Sequence, residues 1–489
     1  MAHDEGGAGV SSCCTPQVAQ IQAGTPRSCL PHGAGAPAPG YDDDPVATEG
    51  EWTGADLARG EPQGEGAARA GYLRLLLVLL SSAAFFDGYD NQVVALLLPN
   101  VQRTFQVGVT TLALVQIPVH AGQFVAFFAV YLADRLGRRP LLLWTITGYT
   151  LFTVLTAASP SIWAFAAFQF GAQVFTGAEF GVAVTLVVEE FPTEGRGRAL
   201  GTLLAMGPVG AVLVGLLAAV GLQDSPLSWR AFYLVGVVPL LVVAVGRRRM
   251  RESPRFSAEV AKRRAAGGGP GGGPKLRTYV ADLLGAWAPR YRGRLAAVGI
   301  ISLCQSLPTA GGTVWWAFYA RRELGYPSSL VAVYFLVAAA IGFLGYLACG
   351  RAMEHLGRRP TATVYMVATL CFGVTLFQVS GRLVSLVCLA GAVFFGLGIG
   401  PVLSAFATEL FPTAIRAQAG SWTRNVFAST GMLLGPFLVG FLGAPGGLVG
   451  TIGDAASILG VAILPALVLT WAVLPESRGR TLEELSPAP

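Results

Sequence analysis

Long apolar segments alternate with short polar clusters along most of this chain. Between residues 72 and 474 the apolar segments recur at regular intervals, and the clusters between them contain Arg, Gly and Pro. An apolar helix of about 20 residues crosses the roughly 30 Å of hydrocarbon in a bilayer. The pattern therefore predicts about twelve membrane-spanning helices, over residues 72–98, 110–133, 140–158, 162–188, 199–221, 230–247, 296–319, 328–350, 360–379, 384–408, 419–443 and 450–474.

The composition and the positions of the basic residues agree with a membrane protein. Of the 489 residues, 53% are hydrophobic and 13% are charged, whereas soluble proteins carry about 25% charged residues. Basic clusters follow predicted helices 2, 4, 6, 8 and 10, and the longest runs from Arg247 to Arg294. Because basic loops remain in the cytoplasm, we expect a multi-pass protein of the plasma (cell inner) membrane with both termini in the cytoplasm.

The charge and the reactive side chains exclude several other classes. The net charge of +6 is explained by topology and by contact with anionic membrane lipids, so we expect no nucleic-acid partner. The cysteines show no CxxC spacing, and the four histidines are scattered along the chain. Neither a metal site nor a nucleophile with its base is indicated. We therefore expect no enzyme activity and no cofactor.

Composition also divides the chain into segments. Residues 1–70 are rich in Gly, Pro and Ala and contain no signal-peptide core, which predicts a disordered cytoplasmic tail. The apolar segments predict an N-terminal six-helix bundle over 71–247 and a C-terminal six-helix bundle over 296–474. A glycine-rich cytoplasmic linker at 248–295 and a cytoplasmic C-terminal tail at 475–489 complete the prediction.

Two pairs of motifs recur at the same separation. "ADRLGRRP" ends at Pro140 and "MEHLGRRP" ends at Pro360, while "EEFPTEGRGRALG" surrounds Pro192 and "TELFPTAIRAQAG" surrounds Pro412; both pairs are 220 residues apart. A common separation indicates an internal duplication of six helices in the same orientation. Parallel repeats of this kind build a central site between two halves and expose it to alternate sides of the membrane.

These motifs, with "RESPRF" after helix 6 and "PESRGR" after helix 12, resemble those of the major facilitator superfamily of secondary transporters. The resemblance implies an all-α membrane protein with the major facilitator fold, in which twelve helices form two six-helix bundles related by a parallel repeat. It also implies that Asp134 with Arg138, and Glu354 with Arg358, form a cytoplasmic gate of ion pairs. The alternative is that the arginines only anchor these loops in the cytoplasm.

Two carboxylates interrupt the first apolar segment, in "FFDGYDNQVVALLLP". Asp87 and Asp90 are three residues apart and lie on nearly the same helix face. A charge in the middle of the bilayer is costly and usually marks a substrate or proton route. "DGYD" is similar to the first helix of the aromatic acid:proton symporter family, which implies roles in proton coupling or substrate binding. Alternatively, Asp87 lies at a water-exposed helix end, or Asp90 pairs with an arginine to hold helices together.

Three further polar residues in the predicted helices are site candidates. Glu179 lies among small residues of helix 4 and is a second candidate for proton coupling, whereas Glu189 and Glu190 lie near the cytoplasmic end and are expected to pair with loop arginines. Arg424 in helix 11 either binds a substrate carboxylate or extends to the cytoplasmic surface. Gln305 in helix 7 offers hydrogen bonds to a substrate.

Helix 7 also carries aromatic residues, Trp315, Trp316 and Tyr319, near its outer end. They offer a stacking surface for a ring-shaped ligand, but Trp and Tyr also form ordinary belts at the membrane interface. The belt is the simpler interpretation. His120 is the one histidine within a predicted helix and is expected to make a packing hydrogen bond rather than to relay protons.

The leading interpretation is a secondary active transporter that moves a small organic acid, possibly aromatic, by proton symport and alternating access. The proton gradient drives it, and its partners are the substrate, protons and membrane lipids; we expect a monomer. The alternatives are a sugar or polyol:proton symporter, favoured by the loop motifs, and a proton-coupled exporter of metabolites or drugs. Asp87, Asp90, Glu179, Arg424 and Gln305 are the predicted proton-coupling or substrate-binding residues.

Overall fold

A computed structural model describes residues 63–126, 128, 137–248, 250 and 284–476 of the chain. Within these ranges every regular element is a helix. Twelve helices are long and apolar enough to cross a membrane. They are α1 (Gln63–Phe105), α2 (Val109–Ala126), α3 (Arg138–Ala157), α4 (Ile162–Glu190), α5 (Thr193–Ala219), α6 (Trp229–Arg247), α7 (Arg292–Arg322), α8 (Ser328–Leu356), α9 (Arg358–Gln378), α10 (Arg382–Gly398 and Gly400–Glu409), α11 (Thr413–Leu442) and α12 (Ile452–Gly460 and Ile463–Ala472).

The predicted number of spans is confirmed, and most boundaries agree within a few residues. The predicted tail of 1–70 is wrong at its C-terminal end, because α1 begins at Gln63. Its first turns are polar, so a hydrophobicity pattern gives no signal for them. Residues 1–62, most of the linker and residues 477–489 lie outside the described residues.

The alternating helix directions place the chain's loops at two sides of the molecule. We call the side that holds Arg138, Arg248 and Arg358 the basic side, and the other side, which holds Gln223 and Arg321, the opposite side. Helices α1–α6 form one half and α7–α12 the other, and the halves meet where α1 contacts α7, α2 contacts α11 and α5 contacts α8. The predicted pair of six-helix bundles is thus present.

Within each half, glycine allows two helices to approach backbone to backbone. A Cβ atom added at Gly88 in α1 would lie 2.0 Å from the carbonyl oxygen of Gly207 in α5. In the second half, a Cβ atom at Gly435 in α11 would lie 2.1 Å from the carbonyl oxygen of Leu307 in α7. Small residues of this kind are the usual means of close helix packing in membranes.

We expect Gly88→Val to prevent the α1–α5 contact, because its side chain has no space against the backbone of Gly207. The yield of monodisperse protein in detergent should fall severalfold relative to wild type. Gly71→Val is the matched control, since Gly71 lies in the same helix with no atom within 4 Å of an added Cβ. Equal yields from the two variants would contradict this account of the packing.

In the part of the chain that the structure describes, the hydrophobic core is shared between the halves only toward the opposite side. One cluster there includes Leu112 and Trp229 from the first half and Trp315, Val331 and Val439 from the second. Toward the basic side the core is divided, with a cluster of first-half residues such as Leu186 and a separate cluster of second-half residues such as Phe411. The halves are therefore packed together at the opposite side and separated at the basic side.

Polar contacts between the halves reinforce the closure at the opposite side. Arg321 of α7 donates to the side-chain oxygen of Asn100 in α1. Arg322 donates to Gln102 Oε1 at 3.0 Å, and Ser328 Oγ donates to Asp224 Oδ1 at 3.4 Å. These bonds connect the end of α1 and the α5–α6 loop with the α7–α8 turn, so they must break before the opposite side can open.

Candidate functional site

Arg424 lies where α11 departs from regular α-helical geometry. Residues Trp422–Ala428 form a π-helical segment, a feature that is frequent at functional sites. The Arg424 side chain is exposed, and its guanidinium lies over the ring of Phe180 in α4 at 4.0 Å from the ring centroid. Because Phe180 belongs to the other half, Arg424 points into the space between the halves and not toward the membrane surface. This placement favours the first of the two predicted alternatives for Arg424.

Asp87 reaches the same space from α1. Its carboxylate is half-buried, and the side-chain amide of Asn91 donates to its carbonyl oxygen at 2.8 Å. Asp87 and Arg424 attract each other across the boundary between the halves, and Tyr346 of α8 lies within range of both charges. Among the described residues Arg424 makes no ion pair. The site thus combines a cation, an acid and two aromatic rings from both halves.

Asp90 has a different environment from Asp87, although the two are three residues apart. Its side chain is 1% exposed, and Gln173 Nε2 of α4 donates to its Oδ2 at 3.1 Å. Tyr149 and Tyr233 lie within electrostatic range of the carboxylate. Asp90 is therefore enclosed within the first half. No arginine pairs with it among the described residues, so the alternative of a structural Asp90–arginine pair is not supported.

Glu179 forms a buried ion pair that the sequence did not indicate. Its Oε1 accepts from Arg247 Nη2 at 2.7 Å, and the two side chains are 2% and 0% exposed. Arg247 also donates to the carbonyl oxygens of Leu79 at 2.9 Å and Leu142 at 3.2 Å. The pair thereby connects α4, α6, α1 and α3. Arg247 is the last residue of α6, where predicted helix 6 also ends, but counting it with the basic cluster that follows left it without a predicted partner.

The arginines of the two repeated loops pair within their own halves. Arg138 Nη2 lies 2.9 Å from Glu189 Oε1, as expected for an acid at that end of α4. Arg358 pairs with Glu409 through two bonds, of 3.2 Å from Nε and 3.0 Å from Nη2. Each partner of one pair is 220 residues from its counterpart in the other, so the duplication extends to the contacts.

In this structure the predicted Glu354–Arg358 pair is not formed, because Arg358 pairs with Glu409. Glu354 is exposed and has no partner among the described residues. Its helix ends at Leu356, and Gly357 turns the chain with φ +98°, which directs Arg358 toward α10. Asp134, the predicted partner of Arg138, lies outside the described residues. Whether these loops act as a gate stays a prediction.

A second carboxylate holds the start of α9. Glu476 accepts the backbone N–H groups of Arg358 at 2.8 Å and Arg359 at 2.9 Å. A carboxylate at this position satisfies two donors that lack a partner within the helix and favours the positive end of the helix dipole. The Glu of "PESRGR" is therefore bound to the loop after α8.

The remaining candidates, Gln305, Trp315, Trp316 and His120, are all buried. Gln305 is 2% exposed and donates to Thr369 Oγ1 of α9 at 3.5 Å, so it lies within the second half. Trp315 and Trp316 are fully buried, and Trp315 Nε1 donates to the Pro436 carbonyl oxygen at 2.7 Å. They form no belt at the membrane interface. His120 is also buried, and within the described ranges neither ring nitrogen has a partner, contrary to the expected packing bond.

The sequence matches a family model over most of the helical region. The model described as Major Facilitator Superfamily matches residues 80–427. The chain belongs to this superfamily. Its members are transporters, and the chain is accordingly a multi-pass transporter and not an enzyme.

Superfamily members of known name resemble the chain along most of its length. The cis,cis-muconate transport protein of Acinetobacter baylyi is 25% identical over 403 residues, which cover 79% of this chain and 92% of the relative. The niacin transporter NiaP of the same organism is 23% identical over 391 residues, covering 72% and 83%. The inward-open xylose transporter XylE from E. coli shares the fold with a TM-score of 0.65 at 18% identity, covering 85% and 98%.

Several site residues of this superfamily member were missed by sequence reasoning. Phe180 and Gln173 lie in the apolar run of α4, and Gln123 and Ser429 lie in α2 and α11. None stands out in sequence, because single polar or aromatic residues in membrane helices are common. One signal was available in the sequence. Gln169 and Gln173 are four residues apart in α4, which places both on one helix face and indicates a polar surface within the bundle.

Proposed function

We propose that the protein is a proton symporter for small organic acids, including aromatic ones. The observation that carries this proposal is the exposed Arg424 guanidinium in the space between the halves, which lies beside Phe180 and makes no ion pair with any residue that the structure describes. An arginine binds a carboxylate through two parallel hydrogen bonds. The rings of Phe180 and Tyr346 add apolar surface for the body of the substrate.

Asp90, with Asp87, is the proposed proton site. A carboxylate enclosed in the membrane interior is costly when ionised, which favours proton binding from one side and release to the other. Asp87 attracts Arg424, so an anionic substrate competes with Asp87 for the same cation. Protonation of an aspartate would reduce that competition, which links proton uptake to acid binding. Glu179 is a weaker candidate, because Arg247 already neutralises it.

The orientation follows from the basic side. If that side faces the cytoplasm, as its arginines favour, the conformation is open toward the cytoplasm and closed toward the outside. The protein then acts as a monomer in the plasma membrane with both termini in the cytoplasm. A sugar or polyol symporter is the second candidate, favoured by the fold shared with a xylose transporter.

The test is uptake into proteoliposomes with an imposed inward proton gradient. Radiolabelled nicotinate, cis,cis-muconate, benzoate and xylose are compared for wild type, Asp87→Asn and Asp90→Asn. We expect gradient-dependent uptake of at least one acid by wild type and loss of that dependence in Asp90→Asn. Asp454→Asn, at an exposed aspartate of the opposite side, is the matched control. Uptake of xylose alone, or acid uptake indifferent to both aspartates, would refute the proposal.

A further inference from the structure

A row of hydrogen bonds runs from Asp90 to the π-helical segment that carries Arg424. Gln173 Nε2 donates to Asp90 Oδ2 at 3.1 Å, and Gln123 Nε2 of α2 donates to Gln173 Oε1 at 3.2 Å. Ser429 Oγ of α11 donates to Gln123 Oε1 at 3.4 Å. The same hydroxyl lies 3.3 Å from the Arg424 carbonyl oxygen. The row therefore crosses from the first half to the second.

The direction of these bonds depends on the protonation of Asp90. An ionised carboxylate only accepts, so every donor in the row must point toward Asp90, as described above. A protonated carboxyl can donate, and a primary amide offers both an acceptor oxygen and a donor nitrogen of nearly equal size. Rotation of both amides by half a turn exchanges their oxygen and nitrogen positions and changes the heavy-atom distances in the row by only about 0.1 Å, the difference between the two bond lengths.

The consequence of that reversal falls on Ser429. With the amides reversed, Gln123 presents its N–H to the serine oxygen, and the serine hydroxyl can no longer donate to Gln123. The Arg424 carbonyl oxygen is then the remaining acceptor within reach. This carbonyl already accepts the Ser429 backbone N–H that closes the π-helical turn. A second bond to it changes the local geometry of the segment that orients the Arg424 side chain.

We propose that Gln173, Gln123 and Ser429 are positioning residues that report the protonation state of Asp90 to Arg424. The proton stays on Asp90, and what passes along the row is the direction of its hydrogen bonds. This inference rests on the proposed function, because it explains how proton binding in one half prepares acid binding by the other. The row is also broken when α2 and α11 separate, so the signal acts only while these helices are in contact.

The surroundings of Asp90 leave few competing routes for such a signal. Gln169 of α4 also lies beside the Asp90 carboxylate, but its amide has no further partner among the described residues, so it offers no second route to α11. Asp90 is 1% exposed and Ser429 is 5% exposed, so bulk water has little access to the two ends of the row. The titratable groups near Asp90 are Asp87 on its own helix and the tyrosines Tyr89, Tyr149 and Tyr233. The Tyr89 hydroxyl donates to the Phe232 carbonyl oxygen of α6 at 2.7 Å. This bond stays within the first half and does not connect Asp90 with α11.

The test uses Trp422, the first residue of the π-helical segment, as a reporter that needs no substrate. The full-length protein is prepared with 5-fluorotryptophan in lipid nanodiscs, and the Trp422 resonance is assigned by its absence in Trp422→Phe. We expect this fluorine resonance to shift between alkaline and acidic pH in wild type. Asp90→Asn should abolish the shift, and Gln123→Leu and Ser429→Ala should each abolish most of it, because either substitution interrupts the row between Asp90 and the π-helical segment.

Two controls separate signalling from a merely structural role. Gln116→Leu removes another buried glutamine of α2 that is outside the row and should keep the shift. Ser429→Thr retains the hydroxyl and should restore what Ser429→Ala loses, even if the glutamine variant fails to fold. A shift that persists in Asp90→Asn or Ser429→Ala, or no shift in wild type, would overturn the inference. Because no acid is present, these outcomes are independent of the uptake test.

Discussion

Arg424→Leu is expected to lower acid uptake by at least about a hundredfold relative to wild type. Removing one member of a charge pair costs about 2–5 kcal/mol, and about 2.7 kcal/mol corresponds to a hundredfold change in affinity. The loss should appear first as weaker binding of the acid, because the guanidinium lies in the space between the halves and is open to a ligand. Arg424→Lys keeps the charge but loses the two parallel bonds, so an intermediate loss is expected.

The measurement is the concentration dependence of nicotinate and cis,cis-muconate uptake by the reconstituted variants. Arg74→Leu is the matched control, since Arg74 is an exposed arginine of α1 and its removal changes the net charge equally. Phe180→Leu, which removes the ring under the guanidinium, should have a smaller effect than either Arg424 variant. Wild-type uptake of acids by Arg424→Leu would exclude Arg424 as the anion site and return it to a structural role.

Glu179→Gln is expected to destabilise the protein by about 3–5 kcal/mol, the typical cost of leaving one charge of a buried pair without its partner. The Arg247 guanidinium would remain fully buried with only neutral acceptors, at Leu79, Leu142 and Ser82. Its network joins four helices, so the effect should be global. Reversible unfolding in mixed micelles, followed by circular dichroism, measures the change in the free energy of unfolding.

A double variant distinguishes loss of the pair from loss of packing. Glu179→Met with Arg247→Leu removes both charges together and should recover most of the stability that Glu179→Gln loses, because an apolar pair of similar volume often replaces an ion pair without penalty. If the double variant also transports acids with normal gradient dependence, Glu179 takes no part in proton coupling. A double variant less stable than Glu179→Gln would contradict the structural interpretation.

The sequence predicted the architecture well. The thickness of the bilayer sets the length of each apolar segment, and the motifs repeated at one separation indicate the duplication of six helices. The separation of 220 residues, taken from Pro140 and Pro360, also relates the ion pairs Arg138–Glu189 and Arg358–Glu409. Partner choice was the weak point. The repeated loop motif and the family resemblance pair Glu354 with Arg358, whereas in this structure the turn at Gly357 directs the arginine to Glu409 of α10.

The candidate site was predicted in part for a related reason. Asp87, Asp90 and Arg424 stand out because charges are rare in membrane helices, and the structure brings Asp87 and Arg424 to one space from opposite halves. Phe180 and Gln173 complete the site, but single residues of these types are common in an apolar helix. Their roles become visible only from their contacts with Arg424 and Asp90. Arg247 escaped notice because it adjoins a basic loop, although the helix draws it into the interior.

The carboxylate of Glu476 has a practical consequence for work with this protein. Because it caps α9 from beyond the last membrane helix, the residues just after α12 belong to the folded body. A fluorescent reporter or affinity tag joined at residue 474 would remove this cap and weaken the α8–α9 turn. Fusions placed after residue 489 retain it, and they are the ones suited to following the protein during expression and purification.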